Sequence, residues 1–202
     1  MQAKTDCSYD YLDFMSVRNY HEATRCALEM LEVHGDVLRH HEMMLTVNLR
    51  RENIAAALEN CGELISYGQL KGLDITEYAQ HREALLLRLS RTRSFLAAQL
   101  WDDITADHAS APGRYAAVPL QVAGEALCRV SQETGAIFLI FPVRGNTEQR
   151  IACRLAPEEL PFIQYLTFPQ RITVHGYFLS VKEDVVVLHP CRYLSSFETF
   201  LQ

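Results

Sequence analysis

The sequence predicts an α+β protein: an antiparallel helical hairpin or small bundle in residues 1–110, then a small closed five-stranded β-barrel in residues 114–202. Three observations predict it. Apolar residues in the first half recur at helical spacing. After the turn-prone stretch HASAPG, residues 108–113, they alternate as on half-buried strands. The composition, 49% hydrophobic and 22% charged, is that of a chain able to bury a core and not of a disordered one.

The helical half begins with Tyr9, Tyr11, Leu12, Phe14 and Met15, a short segment suited to covering one end of the bundle. Asn19 followed by Glu22 has the spacing of a capping box, which starts a helix by satisfying its free N–H groups. Leu28, Leu31, Leu38, Leu45 and Leu49 then form a stripe that also contains Gly35, and Gly35-Asp36 is the expected kink. Ile54, Leu58, Cys61 and Ile65 continue in a displaced register, the signature of a stutter or break. Gly68, Gly72 and the Asp74…Glu77 box predict a turn and a second helix over about 75–105, with Tyr78, Leu85, Leu89 and Leu96 facing inward. Self-association through such stripes, as in a coiled coil, is an expectation of the pattern.

In the second half Leu120, Val122, Ala126, Cys128 and Val130 alternate with Gln121, Glu125 and Arg129, and Gly124 interrupts the inward row where a barrel strand bends. SQETG (131–135) leads to a second strand, AIFLIFPV, and RGNTEQ (144–149) to a third, RIACRL. Pro157 and Pro161 exclude a strand, so APEELPFIQYL is read as one short helix. RITVHGYFLSVKEDVVVLHP (171–190) closes the set as a hairpin about Lys182-Glu183-Asp184, and Ser195…Glu198 predicts a last helical turn bearing Phe197, Phe200 and Leu201.

That order, three strands with a glycine bend in the first, a short helix, then two strands, resembles an OB-fold barrel over about residues 116–194. The likeness is to a fold rather than to a family. It implies a ligand face on strands 2 and 3 with the flanking loops, where aromatics stack on the bases of single-stranded nucleic acid. Placed on this chain, that face is Phe138, Ile140, Arg150 and Arg154, with His175 and Tyr177 nearby on strand 4.

Charge argues against a polyanion. Residues 1–110 hold 11 Lys/Arg against 17 Asp/Glu and residues 111–202 hold 8 against 8, within a net charge of −6. Nucleic-acid surfaces usually show a basic excess, and the loops bearing Glu133 and Glu183-Asp184 add none. Packing of Phe138 and Ile140 on the helical half ranks first, a partner protein second and nucleic acid third.

The remaining chemistry has ordinary explanations. Six scattered cysteines form no CxxC pair, and His189-Pro190-Cys191 with Cys153, Cys128 or His175 lacks the short-loop spacing of a zinc site. His34, His40 and His41 are read as solvated or satisfied side chains, with His41 lining the helix interface. Arg88, Arg91 and Arg93 suit a solvated helix face. Glu158-Glu159 stands at a helix start, where the macrodipole favours acids, whereas Asp102-Asp103 near a helix end has no local explanation. No GxSxG, GxxxxGK[ST] or HExxH is present.

The expectation is therefore a non-enzymatic adaptor or assembly subunit that binds a protein partner or a second copy of itself. It has no catalytic residue, no metal and no small-molecule cofactor. An accessory factor for single-stranded DNA or RNA is the alternative. With no apolar run of membrane-spanning length and no apolar signal core in MQAKTDCSYDYLDF, a cytoplasmic, reducing location is expected.

Overall fold

The computed structural model describes residues 7–196. It divides into two compact units between Ser90 and Arg91, each with its own core.

The first unit is a run of five helices: α1 (Cys7–Ser16), α2 (Tyr20–Glu32), α3 (Val37–Arg50), α4 (Ile54–Lys71) and α5 (Thr76–Arg91). The expected long helix is thus broken at regular intervals. Asn19, Asp36 and Asn53 cap α2, α3 and α4, and each side-chain oxygen accepts the N–H three residues on. The residue before each cap, Arg18, Gly35 or Glu52, is left-handed, with φ of 59°, 64° and 56°. Asn19 and Asn53 also donate their N–H groups back to Phe14 and Asn48, at 2.8 and 2.9 Å, in the manner of a Schellman turn. Gly35-Asp36 is therefore a full stop, and the displaced register after Leu49 is a new helix. Glu22 does not complete a capping box, because Asn19 N–H is taken by Phe14; Glu22 pairs with Arg25 at 2.7 Å instead.

Breaking the helix changes which face is buried. In α2 the buried residues are Tyr20 and the small Ala23, Cys26 and Ala27, which allow close approach, while Leu28 and Leu31 are exposed. Leu45, Ile54, Ala57, Cys61, Leu64 and Leu85 form a core shared by α3, α4 and α5, and Leu86 and Leu89 of α5 are exposed. Polar ties cross the helices: Tyr11 Oη donates to the Met43 carbonyl at 2.9 Å, and Tyr78 Oη donates to Glu42 Oε1 at 2.6 Å. His40 Nδ1 lies 2.7 Å from the Ala27 carbonyl and His41 Nδ1 3.1 Å from Asn60 Oδ1, so both histidines serve the helix interfaces.

The second unit is a closed barrel with helices packed on it. The helix expected to run to 105 ends at Arg91; β1 (Arg93–Leu96) follows, then α6 (Ala97–Thr105) and α7 (Ala111–Tyr115). HASAPG lies inside this unit, because Ala111 and Tyr115 are fully buried in the barrel's core together with Leu100 and Ile104. Arg93 stacks over Phe95 and Tyr115 at 5.1 and 5.0 Å and is no part of a solvated helix. The acids of α6 meet distant cations: Asp102 pairs with Arg144 at 2.6 Å, and Asp103 pairs with Arg114 at 3.3 Å and accepts the Tyr115 hydroxyl.

The barrel strands are β2 (Pro119–Val130), β3 (Ile137–Val143), β4 (Asn146–Leu155), β5 (Gln170–Lys182) and β6 (Val185–Ser196). Their order is β2-β3-β4-β6-β5, closed by β5 on β2, with β4 and β6 parallel and the other barrel pairs antiparallel. This is the OB-like connectivity that the strand and helix order predicts. β1 adds a parallel edge beside Leu120–Ala123. β2 pairs with β5 through Ala126 and with β3 from Leu127 on, and two residues before that switch a Cβ on Gly124 would meet Phe141 at 3.3 Å and Ala97 at 3.4 Å. Leu120, Val122, Leu139, Phe141, Ile151 and Val174 fill the interior, whereas Val130, expected inside, is exposed beyond the barrel's end. Arg144-Gly145 and Glu183-Asp184 are two-residue turns, the second one residue shorter than expected. A 3₁₀ turn (Pro157–Glu159) and α8 (Leu160–Ile163) replace the single helix, and Ile163 seats in the core. The helical turn expected around Phe197–Leu201 lies outside the described residues.

At Gly176 a Cβ would stand 2.7 Å from Cys191 Sγ and 3.3 Å from the Pro190 carbonyl, and both Gly176 and Cys191 are buried. Gly176→Ala is expected to destabilise the barrel by about 1–3 kcal/mol, because the sulfur has no open space to enter. Chemical denaturation checks it, and an unchanged midpoint would contradict this packing.

Candidate nucleic-acid interface

Strand pairing decides which outward side chains share a face. Arg129 of β2 stands opposite Phe138 of β3, and Phe138 opposite Arg154 of β4. The next row is Leu127, Ile140, Ala152 and Val187, and the third is Pro142, Arg150 and Val185. All but Arg154 and Pro142 line an open groove of about 520 Å3 whose floor is Phe138, Ile140, Leu127 and Val187 and whose cations are Arg129 and Arg150, with Glu148 the one acid of its lining. The groove runs between Ser131, at the start of the first hairpin loop, and Val185, just past the β5–β6 turn. The Arg150 N–H donates to the Asp184 carbonyl at 3.1 Å, which ties that turn to the groove.

Of the residues expected on the ligand face, Phe138, Ile140 and Arg150 line this groove and Arg154 continues the Phe138 row. His175 and Tyr177 do not join them. They sit on β5, which is separated from β4 by β6 in the sheet, and His175 pairs with Gln121 and Arg192. His175 is buried, its ring 5.3 Å from that of Tyr177. Arg129, Leu127 and Val187 complete the face and were missing from the expected set. The alternation of β2 already turned Arg129 outward; its position beside Phe138 depends on a register that no local pattern reveals.

The arginines of this unit fall into two groups. Arg114, Arg144 and Arg192 pair with Asp103, Asp102 and the Glu158/Glu159 carboxylates. Arg129 and Arg154 are exposed and make no ion pair among the described residues. Neutral overall charge therefore hides two arginines beside Phe138 with no ion pair among the described residues, while Glu148 is the one acid lining the groove.

The cysteines offer no comparable chemistry. Cys26, Cys61, Cys128, Cys153 and Cys191 are free, and burial, then the neighbouring Cys153, pushes the Cys191 thiol well above the ordinary range. A thiol held protonated is a poor nucleophile and a poor metal ligand. Among the described residues no group of three or more His, Cys, Asp or Glu side chains is placed to hold a metal ion, and no helix is long and apolar enough to cross a membrane.

No family model and no curated protein matches the chain. Among solved structures, a crystal structure from Klebsiella pneumoniae, provisionally described as a nucleic acid-binding lipoprotein, is similar at 18% identity with a TM-score of 0.43. The match covers 53% of this chain and 95% of that one. A likeness this loose says nothing of what the present chain binds.

Proposed function

We propose that this protein is a non-catalytic binding factor for single-stranded nucleic acid, held on the β2–β3–β4 face of its barrel. The observation that carries the reading is the row Arg129, Phe138, Arg154: a half-exposed aromatic between two arginines with no ion pair among the described residues. An aromatic of this kind stacks on any base, and arginines on either side reach the phosphates that flank it. Three arginines on the face release about 0.7 counterion-equivalents each from a single strand, for a log–log salt slope of about −2.

Fluorescence anisotropy with labelled oligothymidylate tests it. Raising salt from about 50 to about 200 mM is expected to weaken binding about 20-fold. Absence of binding at the lower salt would remove the reading.

The second reading is an adaptor that takes a segment of a partner protein in the same groove. It is favoured by the apolar floor of Leu127, Ile140 and Val187 and by the acids Glu133 and Glu183-Asp184 in the loops at its ends, which repel phosphate. In that case the oligonucleotide fails to bind and a partner is retained on the immobilised protein in a groove-dependent way, lost in Ile140→Asp.

A further inference from the structure

A second cavity, of about 310 Å3, lies beside the groove at the other end of the Phe138 row. Ile137, Leu155, Pro157 and Leu160 form its apolar walls, and Arg154 and His189 stand on its polar side. The two cavities are joined by side chains of one cross-strand line. Arg129 pairs with Phe138 and Phe138 with Arg154, while His189 of β6 brings its Nδ1 within 3.5 Å of the Arg154 carbonyl. A strand laid across Phe138 in the groove thus arrives, one step later, at Arg154 and the second cavity.

The size and chemistry of this cavity select its occupant. At the lower limit of ligand-pocket volumes it suits one flat ring held between apolar walls. A guanidinium offers donors only, in a rigid fork, so the ring it reads must present two neighbouring acceptors. Between the two purines, guanine does so with O6 and N7, whereas adenine pairs an acceptor with a donor at the corresponding edge. Resting on the nucleic-acid reading of the groove, we propose that the second cavity receives one unpaired base of the bound strand and that Arg154 makes it prefer guanine to adenine. Phe138 then supplies sequence-tolerant stacking, and Arg154 supplies choice.

The test uses the full chain and labelled oligothymidylates of about 15 nucleotides, within the site sizes known for such barrels. One carries a single central guanine, another a single central adenine. The guanine oligonucleotide is expected to bind about tenfold more tightly than the adenine one, as for one bidentate contact. Arg154→Lys keeps a positive charge but abolishes the preference, because a lysine cannot make the fork. Leu160→Trp, which fills the cavity from an exposed position, abolishes it as well. Equal binding of the two oligonucleotides by the unaltered protein, with oligothymidylate still bound in a salt-dependent way, would overturn the base pocket and leave the groove standing. No binding of any oligonucleotide at low salt would overturn both.

Discussion

Phe138→Ala is expected to weaken oligothymidylate binding about tenfold, inside the range of one lost base stack, and to leave the salt slope unchanged. The ring is half-exposed on the groove floor, while its neighbours in sequence, Leu139 and Phe141, are fully buried and hold β3 in the barrel. Removing it takes away a stacking surface and no core contact of comparable size. Arg129→Gln is the complementary change. It removes one phosphate contact, so the slope becomes shallower by about 0.7 and the loss of affinity shrinks as salt rises. Measured side by side, the two variants separate stacking from charge. If Phe138→Ala binds like the unaltered protein, or if both variants flatten the slope alike, the ring is not the platform.

Glu159→Ala is expected to cost about 1–3 kcal/mol of stability, the usual penalty for leaving a buried donor unpaired. Glu159 is fully buried at the end of the 3₁₀ turn; its Oε2 accepts the Tyr193 N–H at 3.0 Å and its Oε1 lies 3.8 Å from Arg192. Arg192 is itself only 14% exposed and keeps Glu158 at 3.4 Å in the variant. The change orphans a strand donor and takes one of two carboxylates from a largely buried guanidinium in one step. Glu159→Gln, which retains an acceptor for Tyr193, is expected to cost less than Glu159→Ala. Urea denaturation that places Glu159→Ala within about 1 kcal/mol of the unaltered protein would show that this carboxylate is not a clasp between the turn and β6.

These two sites differ in how far they could be read beforehand. The outward positions of Phe138, Ile140, Arg150 and Arg154 follow from alternation and glycine punctuation within their own strands. Nothing local shows that Arg129 stands beside Phe138 or that His175 does not. Glu158-Glu159, explained locally by a helix macrodipole, has as its main partner an arginine on β6, thirty-odd residues away. In the helical unit the stripe of leucines is present in the sequence, but a seamless period and a restart after a capped turn look alike until the left-handed residues Arg18 and Glu52 are seen. The caps Asp36 and Asn53 were the available signal, since each precedes an apolar run.

By itself the sequence determined the class of this protein: helices first, then five short strands with a proline-bounded helix between the third and fourth. Those features arise from interactions within a few residues, namely side-chain period, caps, and the backbone limits of glycine and proline. The tertiary structure decided what the barrel presents. Closing β2 on β5 and laying β6 parallel to β4 are pairings between distant segments that carry His175 away from Phe138, while the β2–β3 and β3–β4 registers put one arginine on either side of it. A binding face depends on which residues become neighbours across strands, and that is set by the register at which the whole sheet closes.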